Sequence, residues 1–168
     1  VAAPTNGTVV EGTAEGGSGA RIDVNGDGTV ESTVTADGSG NWTFTPTTPI
    51  ANGTTIRVTA ADAAGNVSPP TTVTVDAMAP AAPVIDPTNG SVIAGTAEAG
   101  STVRLDHDGD GDVDVTTTAN GSGNWTHTPT TPVANGTTVT ATAVDAVGNV
   151  SPPASTVVES APPAVPAG

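Results

Sequence analysis

Cysteine, tyrosine and lysine are all absent from the 168-residue chain. Without cysteine there is no disulfide framework, no thiol nucleophile and no thiolate-held metal. Positive charge is scarce: three arginines stand against 17 acidic residues, for a formal net charge of -14. Such a polyanion repels phosphate backbones, which argues against nucleic-acid binding. Aromatic residues make up 2%, and there are two histidines. Little remains for acid–base chemistry beyond carboxylates, so an enzyme is not expected. No run approaches ~18 apolar residues, and no basic-then-apolar leader opens the chain, so membrane insertion is not expected either.

Glycine (21) and proline (15) are abundant, which together with the charge raises the possibility of disorder. Two features oppose it. Hydrophobic residues still reach 35% and alternate with threonine. The chain also carries a long gapless repeat, with about 50 of 83 positions identical at an offset of 83. Gly38-Ser39-Gly40-Asn41-Trp42-Thr43 returns as Gly121-Ser122-Gly123-Asn124-Trp125-Thr126, and Gly65-Asn66-Val67-Ser68-Pro69-Pro70 as Gly148-Asn149-Val150-Ser151-Pro152-Pro153. Ala161 to Gly168 falls in register with Met78 to Ile85, as if two units had been cut in frame from a longer array. An 83-residue period suits one small domain per repeat.

Within a repeat the local pattern is β. Thr55-Ile56-Arg57-Val58-Thr59-Ala60 and Trp42-Thr43-Phe44-Thr45 alternate with period two. Asn6-Gly7, Asp27-Gly28, Asp37-Gly38, Asn52-Gly53 and Gly65-Asn66 mark turns between them. Seven strands are expected in the first unit, near residues 2–4, 8–15, 20–24, 29–36, 41–46, 54–62 and 71–76. No segment has helical periodicity with caps. The fold class expected is all-β, two tandem immunoglobulin-like β-sandwich domains of about seven strands each. The domains are expected at 1–79 and 80–162, with 163–168 opening a following repeat or linker. Their cores, built from Val, Ile, Ala and one Trp per unit, are light.

The strings GTAEAGSTV, GSGNWTHTP and ANGTTVTATAVDAVGNVSPP, with the Asp-x-x-Ala-Pro linker at 76–80, resemble the bacterial immunoglobulin-like repeats of giant secreted adhesins, of the RTX and biofilm type. The resemblance covers nearly the whole chain. It implies a stalk at the extracellular bacterial cell surface, exported by a type I system, with domains stiffened by Ca2+.

The residues themselves point to a hard cation at two loops. Asp106-His107-Asp108-Gly109-Asp110-Gly111-Asp112-Val113-Asp114 places Asp at positions 1, 3 and 5 before a glycine, the first half of an EF-hand-type loop. Asp112 is expected to offer its carbonyl at position 7 and Asp114 a carboxylate at position 9. Thr117 stands where a bidentate Glu closes such a loop, so another carboxylate must complete the site or affinity falls. The first repeat has the same frame diluted, with Asp23, Asn25 and Asp27, then Gly28, and Glu31 at position 9. The plainer reading is a solvated Asp-Gly turn. Yet five aspartates in nine residues repel strongly, about 1 kcal/mol per pair at 4 Å in water and about 4 at a surface-like dielectric. A turn needs one or two.

Alternating strand direction suggests a second cation position. The Asp23 loop and Asp76 are expected at the C-terminal end of the first domain, and Glu98, Asn120 and Asp145 at the N-terminal end of the second. Oxygen ligands from both sides would then share a calcium across the linker. The competing readings are turn capping for Asp62 and Asp145, and plain polar strand ends for Asp76 and Glu159.

Other residues read as structural. Trp42 and Trp125 each begin a strand in phase with Phe44 or His127, so core packing is expected over sugar stacking. His127 then becomes a half-buried partner, and His107 a poor zinc ligand in an oxygen-rich turn. Arg21 and Arg104 recur in register and suggest an ion pair with Glu15 or Glu98. Asn-x-Thr and Asn-x-Ser triplets such as Asn66-Val67-Ser68 are what chance gives in so Asn-Gly- and Thr-rich a chain. The function expected is a calcium-stiffened extender, a monomeric rod whose partners are neighbouring repeats and which projects an adhesive tip. The alternative is a ligand- or carbohydrate-binding module of a secreted protein, which requires exposed aromatics.

Overall fold

A computed structural model describes residues 1–162; the segment 163–168, expected to open a further repeat, lies outside the described residues. The chain divides into two compact units, Val1–Met78 and a second from Ala79 onward. No helix forms among the described residues, and no helix is long and apolar enough to cross a membrane.

Unit 1 comprises β1 (Val10–Thr13), β2 (Gly19–Asp23), β3 (Ser32–Thr35), β4 (Asn41–Phe44), β5 (Thr55–Ala61) and β6 (Thr71–Thr74). One antiparallel sheet runs β3-β2-β5-β6, and β1 pairs with β4 to make the other. The expected first strand shrinks to a bridge between Ala2 and Gly12. Unit 2 repeats the plan in full, with β7 (Val84–Ile85), β8 (Ile93–Thr96), β9 (Thr102–Asp106), β10 (Val115–Thr118), β11 (Asn124–His127), β12 (Thr138–Val144) and β13 (Ala154–Val157). Its sheets run β10-β9-β12-β13 and β11-β8-β7. Each unit is thus the immunoglobulin-like sandwich that the alternation and turn spacing predict.

Period-two alternation decides which side chains fill the space between the sheets. On β2, Ala20 and Ile22 are buried; on the neighbouring β5, Ile56 and Val58 lie on the same face of the sheet, and Val10, Ala36, Val75 and Trp42 complete the cluster. In unit 2 the same positions hold Val103, Leu105, Val139 and Ala141, with Ile93, Val158 and Trp125. Both tryptophans are 3% exposed, as core residues should be. The glycine of each Gly-Thr-Ala-Glu string explains itself here. A Cβ on Gly12 would lie 1.9 Å from the Val1 carbonyl oxygen and 2.8 Å from the Trp42 ring, and one on Gly95 would meet Val84 and Trp125 alike. Only glycine lets the first strand and the indole approach the same point.

Candidate metal centre

The loop between β2 and β3 begins at Asp23, and that between β9 and β10 at Asp106. β3 starts at Ser32, later than the alternation suggests, because residues 29–31 are drawn into the loop. Asp23 is 4% exposed, and its carboxylate is turned into the loop rather than outward. Oδ1 accepts the N–H groups of Asn25 at 3.3 Å and Gly26 at 2.6 Å, and Oδ2 that of Gly28 at 2.9 Å. Asp106 is placed alike, with Oδ1 accepting from Gly109 at 2.6 Å and Oδ2 from Gly111 at 2.9 Å. Gly26 and Gly109 take φ of +74° and +81°, which lets the chain curl around the carboxylate.

Position 9 closes each loop from the other side. Glu31 accepts the Val24 N–H through Oε2 at 2.8 Å, and Asp114 accepts the His107 N–H through Oδ2 at 2.7 Å. The Glu31 and Asp114 amides donate to the carbonyls of Ile22 and Leu105. The Thr29 hydroxyl lies between two acceptors, 2.5 Å from Asp27 Oδ1 and 2.8 Å from Glu31 Oε1, and its single proton serves one of them at a time. These bonds, first the hydroxyl and then the amide of Thr29, hold the Asp27 carboxyl below the usual range against the opposing effect of desolvation.

The outcome is a triad of carboxylates in each unit. One oxygen each from Asp23, Asp27 and Glu31 lie within 4.8 Å of one another, and so do oxygens of Asp106, Asp108 and Asp114. A cation bound at 2.3–2.6 Å to each ligand tolerates oxygen separations up to about 5 Å, so the residues fit a calcium-sized ion and offer it only hard donors. Asp110 and Asp112 share the second loop but stand outside its triad, and Asn25 lies against Asp27 in the first, its side-chain amide donating to Asp27 Oδ2 at 3.1 Å. Asn25 Oδ1 accepts the Asp27 N–H at 3.0 Å, and Asp110 Oδ1 accepts that of Asp112 at 2.8 Å.

Asp76, Glu98 and Asp145 belong to neither triad. Asp76 Oδ1 accepts the Met78 N–H at 3.2 Å, and the Glu98 carbonyl accepts the Ser101 amide and hydroxyl. Asp145 caps its turn, accepting N–H groups of Val147 and Asn149 on Oδ1 and the Asn149 side-chain amide on Oδ2. Burial pushes its carboxyl up, but the bonds from Asn149, Val147 and Gly148 together bring it below the usual value. Asp62 is capped and lowered in the same way, chiefly by the Asn66 side chain.

Two residues behave differently from their sequence reading. Arg21 and Arg104 make no ion pair with Glu15 or Glu98: they sit mid-strand opposite Thr59 and Thr142. His107 Nδ1 lies 3.0 Å from Asp114 Oδ2. The His107 ring stacks at a tilt on His127, 5.4 Å between centroids. That link between loop and core was not legible, because it joins positions 20 residues apart that each look like a simple replacement of Val24 or Phe44.

The bacterial Ig domain model matches residues 1–77 and 79–160. Domains of this class are typically structural modules rather than enzymes. A solved structure described as biofilm associated protein, BSP domain, is 25% identical over 96% of the chain, which spans 29% of that structure's length, with a TM-score of 0.44. The fibronectin(III)-like modules of Clostridium thermocellum CbhA are 18% identical over 90% of the chain and 85% of theirs, at 0.44. A cytokine receptor complex chain is 14% identical over 98% and 97%, at 0.38. No curated protein matches the chain.

Proposed function

The chain belongs to the bacterial Ig domain family, and from that membership and its acidic loops we propose that it is a pair of calcium-stiffened extender repeats from a bacterial surface adhesin. The observation that carries the reading is the recurrence of a three-carboxylate grouping at the same loop of both units. Asp23 and Asp106 hold each loop in shape through main-chain N–H groups, while Asp27 with Glu31, and Asp108 with Asp114, aim oxygens at one point. A bound calcium ion supplies the positive charge that cancels their repulsion and ties β2 to β3, or β9 to β10, across the open end of the loop. The units follow one another along the chain, and the role proposed is to give length and stiffness to a longer protein outside the cell, secreted by a type I route and ending in an adhesive tip. A sugar-binding module is less well supported, since Trp42 and Trp125 are core residues.

Calcium titration against melting temperature and scattering radius tests this. Millimolar calcium is expected to raise the first and EDTA to reverse it, with the chain becoming less variable in size. If neither quantity responds, or if Asp106→Asn with Asp108→Asn leaves the response intact, the calcium reading fails.

A further inference from the structure

Two of the chain's three arginines, Arg21 and Arg57, stand together on unit 1. Across β2 and β5, Arg21 pairs with Thr59 and Asp23 with Arg57, so the two arginines are diagonal neighbours on the outer face of the sheet. Diagonal neighbours on adjacent strands lie about 7–8 Å apart, within reach of side chains this long. Both line a hollow of about 170 Å³, with Asp23, Gly28, Val30 and Thr59 as its other walls. Gly28, Val30 and Arg57 are exposed, so the hollow opens to solvent.

The positive charge in this hollow is not cancelled from within. Neither arginine pairs with a carboxylate among the described residues, although the chain carries 17 acidic residues. Asp23, the one acid in the walls, is 4% exposed and gives both its oxygens to the amides of Asn25, Gly26 and Gly28. Two guanidiniums side by side repel each other, and an anion between them turns that repulsion into attraction.

The repeat supplies a control. Five of the six wall residues recur in unit 2 at the same offset of 83, as Arg104, Asp106, Gly111, Val113 and Thr142. The exception is Arg57, whose counterpart is Thr140. Thr140 stands across from Asp106 as Arg57 does from Asp23, so the strands are equivalent and only the second guanidinium is missing. Threonine thus serves this strand position in unit 2, and the fold itself does not call for the charge.

Donor chemistry narrows the ligand. One guanidinium fork already satisfies a planar carboxylate. Two forks and the Thr59 hydroxyl offer more donors than a carboxylate can take, and a charge of +2, which suits a tetrahedral dianion. We infer that Arg21, Arg57 and Thr59 form a site on unit 1 for a doubly charged sulfate or phosphate group, as the free ion or as a phosphate monoester. Unit 2, with a single arginine, has no such site. The net negative charge of the chain makes the binding weak and sensitive to salt.

NMR titration of the full chain tests this through the three arginine Nε–H resonances. Sodium sulfate replaces sodium chloride at constant ionic strength, in EDTA and again in about 1 mM calcium, the range of extracellular calcium modules. Arg21 and Arg57 are expected to shift together and saturate at a midpoint on the order of millimolar, while Arg104 stays in place. Arg57→Thr, which copies unit 2, is expected to leave Arg21 as unresponsive as Arg104. Inorganic phosphate and methyl phosphate, titrated in EDTA, separate the two sources. A midpoint for methyl phosphate at least about threefold lower assigns the ester, and an equal or higher one assigns the free ion. The inference is overturned if neither condition gives saturation, if Arg104 moves as Arg21 does, or if the Arg21 shift survives Arg57→Thr. None of these readouts depends on whether the acidic loops take up calcium.

Discussion

Asp114 Oδ2 lies 3.0 Å from His107 Nδ1 while accepting the His107 main-chain N–H, so one carboxylate both closes the acidic loop and faces an imidazole. Behind that imidazole stands His127, where unit 1 has Phe44 packed on its core. His127 Nε2 is buried without a hydrogen-bond partner. Burial first, and the neighbouring His107 second, lower its proton affinity from the ordinary value of 6.5, against the pull of Asp114. A histidine lowered on folding contributes its full stability above 6.5 and loses it as pH falls toward the folded-state value. His127→Phe is therefore expected to stabilise unit 2 at pH 7.5 by about 1 kcal/mol, the cost of an orphaned polar atom. The advantage should widen between pH 6.5 and 5. Thermal melts across that range in EDTA check it, and a pH-independent difference would count against the assignment.

Asp23 and Asp27 share one triad but do different work. Asp23 is almost fully buried and accepts three N–H groups, whereas Asp27 is exposed. Asp23→Ala is expected to destabilise unit 1 by about 2 kcal/mol even in EDTA, because the loop amides lose a charged acceptor. Asp27→Asn should leave the EDTA melting temperature within a degree or so and weaken the calcium response. Equal behaviour of the two variants in EDTA would show that Asp23 does not scaffold the loop.

Much of this was legible in the residues. Alternation placed Ile56 and Trp42 inside, and acidic or amide residues at positions 1, 3 and 5 located both loops, since turn chemistry and side-chain period are local properties. What was not legible depends on depth. The spacing treats Asp23, Asn25 and Asp27 alike, yet the chain buries the first, uses the second to brace the third, and sets the Thr29 hydroxyl, which no ligand pattern marks, beside Asp27 and Glu31. In unit 2 the triad takes Asp108 and passes over Asp110. Arg21 and Arg104 misled for a related reason: recurrence in register shows that a position is repeated, and it does not say whether the side chain has a partner.

Register also separates the two loops electrostatically. Arg57 on β5 stands across from Asp23, while Thr140 on β12 stands across from Asp106. A guanidinium on the adjacent strand opposes cation binding, and the first loop also carries Asn25 where the second has Asp108. The second loop is expected to bind calcium more tightly. Arg57→Thr should raise the affinity of the first loop about threefold, the scale of one exposed charge interaction. Calorimetric titration of the chain and the variant resolves the two sites, and an unchanged weaker site would exclude Arg57 from its electrostatics.

Gly12 and Gly95 occupy one structural position, each pressed between the first strand and an indole ring. A Cβ at either would fall 1.9 Å from a main-chain oxygen, so the first strand must move away. In unit 1 that strand is the segment at Ala2, held by the Ala3 N–H on the Glu11 carbonyl and by Val1 and Thr13, each donating to the other's carbonyl. In unit 2 it is β7, paired with β8 across Val84–Thr96 and Ile85–Gly95. Gly12→Ala and Gly95→Ala should therefore each cost about 3 kcal/mol, the upper range for overpacking a tight site. Urea unfolding followed at Trp125 in a Trp42→Phe background, and at Trp42 in a Trp125→Phe background, reads the units separately. A cost below about 1 kcal/mol at either glycine would mean that the first strand moves aside without loss, and that the sandwich does not depend on its pairing.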